Sequence, residues 1–293
     1  MVRRHELSDA AWERIAPLLP PDPPRGGRWR DHRQVLNGIV WKIRTGADWR
    51  DVPERYGPWQ TVYQRFRRWS ADGTWDRLWE HVQAHGDAAG VVDWSAVCVD
   101  STIVRAHQHA AGARKGGAGG ANAGECGPGG QALGRSRGGL TTKVHLAVDG
   151  TGLPLAVLVT GGNINDCTQA IALLQTVRIP RAGRGRPRTR PQRVIADKAY
   201  SSAAIRGYLR RRHIAATIPE RADQVANRAR RGSGGGRPPA FDPAVYRRRN
   251  VIERCINRLK QFKGIATRYD KLAIHYRSAL TIACLLLWLR RDP

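Results

Sequence analysis

The sequence predicts an α/β protein in which a small all-α region precedes a mixed sheet with flanking helices. Two observations indicate this division. Eight of the ten tryptophans lie before residue 80, in segments whose apolar residues recur with helical spacing. After residue 95, β-prone runs alternate with helical segments in the order strand, strand, strand, helix, strand, helix, strand, helices. We therefore expect a helical domain at residues 1–90 and a sheet domain at residues 91–293.

The charge of the chain favours a polyanionic partner. It has 50 Lys and Arg residues against 24 Asp and Glu residues, giving a formal net charge of +26. Such an excess is typical of proteins that bind nucleic acid. An anionic membrane is the alternative, but the chain has no amphipathic terminal helix, lipidation motif or apolar run long enough to span a bilayer. We expect a cytoplasmic protein without a membrane partner.

The N-terminal region begins with two predicted helices. Ser8 can cap the first helix, and Asp9 favours its positive end. The proline-rich residues 20–24 cannot continue that helix. Apolar residues with helical spacing predict a second helix over residues 31–44.

Residues 49–69 have the pattern of a helix-turn-helix. A short helix is predicted at residues 49–56, a break at Gly57 and a longer helix at residues 58–69. Polar side chains predicted on the outer face of the longer helix suit contacts with phosphates and base edges. They are Gln60, Gln64, Arg65, Arg67 and Arg68. A helical bundle with a solvated arginine face is the alternative interpretation.

Two apolar runs each end at an aspartate. Residues 96–99 precede Asp100, and residues 193–196 precede Asp197. A strand that presents an aspartate at its end is a good scaffold for a metal ligand. For Asp100 alone, a helix cap is the competing interpretation.

The remaining segments complete the predicted order of elements. We expect strands at residues 141–148, 155–159 and 214–218, helices at residues 167–177 and 202–212, and a buried helix at residues 280–289. Residues 108–139, 178–193 and 221–240 are basic and rich in small residues or proline, so we expect flexible loops there. This order is that of an RNase H-like sheet, whose carboxylates gather at the strand ends.

Residues 246–260 form a predicted helix with an unusual polar face. Beside its apolar stripe, four side chains fall within an arc roughly 60° wide: Tyr246, Arg249, Glu253 and Lys260. Glu253 could simply pair with Arg249 on the surface, a contact worth about 0.3–0.5 kcal/mol. Alternatively, Glu253 belongs to a site in which Arg249 and Lys260 balance phosphate charge.

Asp100, Asp197 and Glu253 are therefore the candidate metal ligands, with Asp149 and Asp166 as reserves. Three carboxylates suit hard cations such as Mg²⁺, which takes its remaining ligands from water and phosphate. Two such ions about 3.5–4 Å apart can activate a water or a DNA 3′-OH and stabilise the leaving oxygen. The cysteines and histidines show no zinc-type spacing.

The residues around these acids resemble a known family. The segments Val99-Asp100-Ser101-Thr102, Ile195-Ala196-Asp197-Lys198-Ala199-Tyr200 and Arg249-Asn250-Val251-Ile252-Glu253-Arg254 look like the three acidic motifs of IS5-family transposases. The spacing Tyr-x2-Arg-x3-Glu-x6-Lys that begins at Tyr246 resembles the signature of IS4/IS5-type DDE transposases. Residues 7–20, 46–53 and 57–63 are also similar to the family.

The resemblance covers nearly the whole chain and implies a bacterial insertion-sequence transposase. It implies Mg²⁺- or Mn²⁺-dependent cleavage and strand transfer on double-stranded DNA, with two ions, by a homo-oligomer (a dimer) at paired DNA ends in the nucleoid. No small-molecule substrate is expected. Catalytic roles would extend to Tyr246, Arg249 and Lys260. Further DNA contacts would come from Arg247, Arg248, Arg254 and Arg258.

Some features leave other interpretations open. Asn165 stands where the family often has a histidine, so no catalytic role is assigned to the loop around Asp166. A catalytically silent, transposon-derived DNA-binding regulator is one alternative function. An RNA-directed binder or nuclease built on the same sheet is another.

Overall fold

The computed structural model describes residues 4–22, 27–112 and 130–291. The helices are α1 Asp9–Ile15, α2 His32–Thr45, α3 Trp59–Ala71, α4 Thr74–Ala88, α5 Gln108–Ala111, α6 Asp166–Thr176, α7 Ala203–Arg211, α8 Ala222–Arg230, α9 Pro243–Tyr246, α10 Asn250–Lys260, α11 Lys263–Ala266 and α12 Ala273–Leu289. The strands are β1 Val97–Ala106, β2 Gly134–Ser136, β3 Gly139–Asp149, β4 Pro154–Gly161, β5 Arg193–Ala196, β6 Ala215–Thr217 and β7 Thr267–Arg268. Most of the loop predicted at residues 108–139 lies outside the described residues.

The first two helices form where the sequence predicts them, because their caps are local. The Ser8 hydroxyl accepts a hydrogen bond from Ala11 N, and the Asp31 carboxylate accepts one from Gln34 N. These side chains satisfy N–H groups that the first turn of a helix leaves free. α2 ends at Gly46, which has a φ of 71° and tolerates the left-handed conformation.

The short helix predicted at residues 49–56 is not one helix. The structure has two 3-10 turns there, Trp49–Asp51 and Glu54–Tyr56. Pro53 separates them. The residue before a proline disfavours the helical conformation, and Val52, which holds that position, is extended. Gly57 then breaks the chain direction with a φ of 90°, and α3 follows.

The sheet is mixed, as predicted, and β1 lies near its centre. β1 pairs antiparallel with β3, and β3 forms a hairpin with β4. On its other edge β1 pairs in parallel with β5, and β5 pairs in parallel with β6. The short strands β2 and β7 extend the edges of β3 and β1. The predicted strands near residues 141–148, 155–159, 193–196 and 214–218 are thus confirmed.

Three details of the predicted elements were wrong. Asp100 lies within β1 rather than at its end, because β1 continues to Ala106 along β3. Residues 222–230 form α8 instead of a loop. Gln224 stabilises α8 by two hydrogen bonds to Ser201, a tertiary contact that composition cannot reveal. The buried C-terminal helix begins at Ala273, seven residues before the predicted start.

One apolar core joins the N-terminal helices to the sheet through α12. This helix packs against α3, α4 and β4. A Cβ at Gly86 of α4 would lie 2.6 Å from the Trp288 ring, so glycine permits the close approach of the two helices. Asp87, at the predicted linker, binds Trp94 Nε1 at 2.6 Å. The domain boundary at residue 90 stays a prediction.

Within the described ranges, no helix has the length and hydrophobicity to cross a membrane.

Arg65 was predicted on the outer face of α3, and this placement was wrong. Its side chain is buried, with the guanidinium 4.0 Å from the centre of the Trp29 ring. Its Nη1 donates to His32 Nδ1 at 2.6 Å, while His32 Nε2 donates to the carbonyl of Pro20 at 3.0 Å. Burial lowers the pKa of Arg65 to about 10. The other four polar residues of the predicted face, Gln60, Gln64, Arg67 and Arg68, are exposed.

We predict that Arg65→Ala lowers the free energy of unfolding by about 2 kcal/mol, because it removes a buried aromatic contact and leaves His32 Nδ1 unpaired. Arg68→Ala, an exposed arginine on the same helix, should change it by less than about 0.5 kcal/mol. Urea denaturation measures both values. Equal losses in the two variants would contradict the inward placement of Arg65.

A second prediction concerns His145, which is buried in β3 with Nε2 2.9 Å from the Thr160 hydroxyl. Burial lowers the pKa of His145 to about 4, although Asp166 partly opposes the shift. The unfolded chain binds this proton from about pH 6.5 downward, whereas the folded chain does not. His145 should therefore contribute roughly 3 kcal/mol of stability above pH 6.5 that disappears as the pH falls toward 4.

Denaturant midpoints measured across this pH range test that contribution. The His145→Gln variant provides the control, because glutamine does not titrate. A variant with the same loss of stability between pH 6.5 and pH 4 as the wild type would show that His145 is not the responsible group.

Candidate carboxylate site and nucleic-acid interface

The register of β1 and β5 sets Asp100 and Asp197 side by side. The last parallel pair of the two strands is Val99 with Ala196, and the two aspartates are the next residues. Asp197 caps the 3-10 turn Lys198–Tyr200, with Oδ1 accepting from Ala199 N at 2.9 Å. Asp100 Oδ1 accepts from Ser101 N at 2.8 Å. One oxygen of each carboxylate is therefore held by the backbone.

The third acid reaches the site because α10 packs on β1 and β3. Its buried stripe is Val251, Ile252, Cys255, Ile256 and Leu259. The segment before it is not regular α-helix, since α9 and the 3-10 turn Arg247–Arg249 precede Asn250. Glu253 lies in the first turn of α10 with its side chain about half exposed.

Arg249 connects two of the three acids. Its Nη2 donates to Asp100 Oδ2 at 2.5 Å, and its Nη1 donates to Glu253 Oε1 at 2.7 Å. The simple i, i+4 pair of Arg249 with Glu253 therefore exists, but the same guanidinium also binds a largely buried carboxylate. A surface contact alone does not account for this arrangement.

The pKa shifts indicate a concentration of negative charge around these side chains. Burial raises the pKa of Asp100, Arg249 lowers it, and Asp197 and Glu253 raise it again. Burial also raises the pKa of Tyr246, and all three carboxylates add to that shift. Arg249 opposes the shift, and the catalytic role of Tyr246 stays a prediction.

Lys260 was predicted to share one helical face with Tyr246, Arg249 and Glu253, but the structure shows no ion pair between it and the acids. It is exposed at the end of α10 and lines a small cavity with Thr102 and Ile256. Across residues 4–22, 27–112 and 130–291 no ion pair of Lys260 is present. Its predicted role in balancing phosphate charge stays a prediction.

The carboxylates suit a hard cation in their chemistry, but they are arranged around an arginine. In the described parts of the chain, no three His, Cys, Asp or Glu side chains form a group that could hold a metal ion as they stand. Oxygen ligands from Asp100, Asp197 and Glu253 are the type that Mg²⁺ and Mn²⁺ prefer. Arg249 holds one oxygen of Asp100 and one of Glu253, so a cation bound through those two oxygens would compete with the guanidinium.

The two reserve acids have other surroundings. Asp149 is fully buried in the β3–β4 turn, where its oxygens accept hydrogen bonds from Asp93 N, Thr151 N and Leu153 N. These contacts give it a structural role. Asp166 begins α6 and lies 3.0 Å from Lys143 Nζ.

Sequence reasoning missed Lys143 and the neighbouring His145. The signal that could have found them is two titratable side chains, Lys143 and His145, at alternate positions of a predicted strand.

The predicted DNA contacts outside α3 differ in their environment. Arg247 and Arg254 are exposed. Arg248 Nη2 donates to Asp93 Oδ2 at 3.0 Å and Ser95 Oγ at 2.9 Å, and Arg258 Nη2 donates to the carbonyl of Gly152 at 2.8 Å. Arg254 and Arg258 line an open cleft of about 530 Å³ whose lining residues are uncharged or basic. This cleft is compatible with an anionic partner.

Comparisons with known proteins agree with the motifs. Residues 7–79 match the model of a family described as putative transposase of IS4/5 family, and residues 94–288 match the transposase DDE domain. A putative transposase for insertion sequence element IS6501 of Brucella ovis is 33% identical over 151 residues, which span 52% of this chain and 100% of that protein. The corresponding protein for IS402 of Burkholderia cepacia is 34% identical over 146 residues, or 50% of this chain and 62% of that protein.

Among solved structures, the Mos1 transposase paired-end complex with left transposon end aligns with a TM-score of 0.26 and 12% identity, over 93% of this chain and 83% of that chain. At that score the alignment supports no inference. The DDE-domain match extends over more than half of the chain, and the IS6501 relative is matched along its full length. The chain therefore belongs to the IS4/IS5-type DDE transposases.

Proposed function

We propose that this transposase binds the terminal inverted repeats of an insertion sequence and catalyses metal-dependent DNA cleavage and strand transfer. The main observation in favour is the meeting of Asp100 and Glu253 at one guanidinium, with Asp197 adjacent in the register of β1 and β5. The strand order, with three antiparallel strands followed by two parallel ones, supports an RNase H-like catalytic domain.

In this proposal Asp100, Asp197 and Glu253 would hold two Mg²⁺ or Mn²⁺ ions. When bound, the ions would activate a water or a DNA 3′-OH as the nucleophile and would stabilise the charge on the leaving oxygen. The backbone N–H groups of Ser101 and Ala199 keep one oxygen of each aspartate oriented. Arg249, released from the carboxylates, would remain within reach of a phosphate oxygen, and arginine suits that contact because it is a bidentate donor.

DNA would bind along the basic surfaces of the chain. Gln60, Gln64, Arg67 and Arg68 form an exposed face of α3 that could enter a groove as the second helix of a helix-turn-helix. Glutamine can read base edges, whereas arginine can also bind phosphate. The cleft lined by Arg254 and Arg258 offers a second contact with the backbone of the duplex. Paired ends would require at least a dimer of the protein.

We predict that Glu253→Gln abolishes cleavage and spares DNA binding. Glutamine keeps the size and helix propensity but loses the charge that holds a cation, so the cleavage rate with Mg²⁺ should fall roughly 10³-fold, as it should for Asp100→Asn and Asp197→Asn. The double variants should be little worse than the single ones, because each change dismantles one shared site. Nicking of a labelled inverted-repeat duplex measures the rate.

Glu13→Gln is the matched control, since it makes the same change at an exposed glutamate of α1. Its cleavage rate should equal that of the wild type. If Glu253→Gln also cuts at the wild-type rate, the three-carboxylate site is refuted. If the wild type binds the repeats but never cuts with Mg²⁺ or Mn²⁺, the silent regulator becomes the better description.

A separate prediction concerns α3. Arg67→Ala should weaken binding to all duplexes and reduce the slope of log K against log salt by about 1, because one phosphate contact is lost. Gln64→Ala should instead reduce the preference for the element's repeats over random DNA, by about 1–3 kcal/mol. Gln192→Ala, at an exposed glutamine outside α3, is the control. Unchanged specificity in Gln64→Ala would remove α3 from the recognition surface.

A further inference from the structure

A cavity separate from the carboxylate site lies between α1, α4 and the end of α12. Its volume is about 360 Å³, within the range of pockets that enclose small molecules. None of the described residues that line it is acidic. One part of its wall is basic and another part is apolar. The basic side chains are Arg14, His81, His85 and Arg291, and the apolar ones include Val91 and Trp288. We refer to it as the basic cavity.

The two arginines bring uncompensated positive charge to the basic cavity. Arg14 Nη1 donates to the carbonyl of Arg291 at 3.3 Å. The Arg291 guanidinium donates to the hydroxyl of Thr151 at 2.9 Å and to its carbonyl at 3.3 Å. These acceptors are neutral oxygens, and across residues 4–22, 27–112 and 130–291 neither arginine forms an ion pair with a carboxylate. An anion in the cavity would therefore meet guanidinium groups whose charge is still available.

The two histidines of the basic cavity lie one helical turn apart on α4. The centroids of the His81 and His85 rings are 4.3 Å apart. Burial lowers the pKa of His81, and His85 lowers it further, because two imidazolium ions this close repel each other. A negatively charged ligand would favour the protonated rings, in which both nitrogens donate hydrogen bonds. The pair therefore adds donors that suit an anion.

A metal ion is the other ligand that two histidines with this spacing could bind. Two observations argue against it. Among the described side chains, no three His, Cys, Asp or Glu form a group that could hold a metal ion. Arg14 and Arg291 line the same cavity, and their charge repels a cation. The chemistry of the wall thus favours an anion.

The apolar part of the wall and the neighbouring open cleft indicate what kind of anion fits. Val91 and Trp288 cannot solvate an inorganic ion, so a ligand that fills the cavity needs an apolar or aromatic body beside its charge. Arg291 also lines the open cleft that contains Arg254 and Arg258, so the two recesses are neighbours. A nucleotide combines a flat aromatic base with a phosphate, which arginine and protonated histidine bind through charged hydrogen bonds.

We propose that the basic cavity binds one nucleotide, with its phosphate at Arg14, Arg291 and the histidine pair and its base against the apolar wall. This site is distinct from the three carboxylates, and binding there requires neither a divalent cation nor cleavage. The nucleotide is either free in solution or an unpaired nucleotide of a DNA strand that lies in the adjacent open cleft. Both sources present the same chemistry to the cavity.

Equilibrium dialysis of the full-length protein against each of the four labelled deoxynucleoside 5′-monophosphates tests the free source. The ionic strength is fixed and divalent cations are absent. Arg14→Gln and His85→Gln should each raise the Kd about 10-fold, because each removes a charged hydrogen bond to the phosphate. Val91→Ala should raise the Kd for the nucleotides about 5-fold and leave that for inorganic phosphate unchanged, because it alters only the apolar wall.

Arg210→Gln and His109→Gln are the matched controls, since they make the same changes at exposed residues outside the cavity. Their Kd values should equal that of the wild type. His85 is itself exposed, so His85→Gln should keep the wild-type Tm and remain informative if Arg14→Gln is less stable.

A duplex with a short unpaired end, compared with the same duplex made blunt, tests the DNA source. The unpaired end should strengthen binding to the wild type and to both controls, but not to Arg14→Gln or His85→Gln. A dependence on Arg14 and His85 in either assay supports the nucleotide site and identifies its source. The site is overturned if neither assay depends on these residues or if inorganic phosphate binds as tightly as the nucleotides. Zn²⁺ binding that is lost in His85→Gln, without nucleotide binding, overturns it in favour of a metal site.

Discussion

The parallel pairing of β1 with β5 is the constraint on which the rest of the site depends. It joins strands that are almost a hundred residues apart in the chain, and its register places Asp100 next to Asp197. A slip of one residue would turn one of these side chains to the opposite face of the sheet. On the other edge of β1 lies β3, which forms a hairpin with β4. The helix α10 packs across β1 and β3 and completes the surroundings of the site.

Electrostatics explains why an arginine lies at the centre of this arrangement. Two partly buried carboxylates repel each other, and bringing them together without a cation would raise their pKa values until one took up a proton. Arg249 lies between Asp100 and Glu253 and provides the compensating charge. In the proposed function a divalent cation would take over that compensation, and the guanidinium would become available to phosphate.

The sequence predicted the elements that local rules determine, and it missed those that depend on distant contacts. Helix caps and apolar runs are local, so α1, α2, β5 and the start of β1 were predicted near their observed places, whereas the continuation of β1 past Asp100 depends on its pairing with β3. Arg65 was misplaced because helical spacing cannot tell an exposed arginine from one that packs on Trp29. α8 was missed because Gln224 fixes it to Ser201, a contact formed only in the folded chain.

The three acids differ in how firmly the fold holds them, and this difference suits the proposed function, in which the site would accept both a cation and DNA. Asp100 and Asp197 lie at the centre of the sheet, and each has one oxygen bonded to a backbone N–H. Glu253 is about half exposed, and the only hydrogen bond to its side chain within the described residues comes from Arg249. In the proposed function, Asp100 and Asp197 would therefore be oriented before a cation arrives, and Glu253 would adjust to it. Such a division lowers the entropic cost of binding while leaving one side chain free to respond to the substrate.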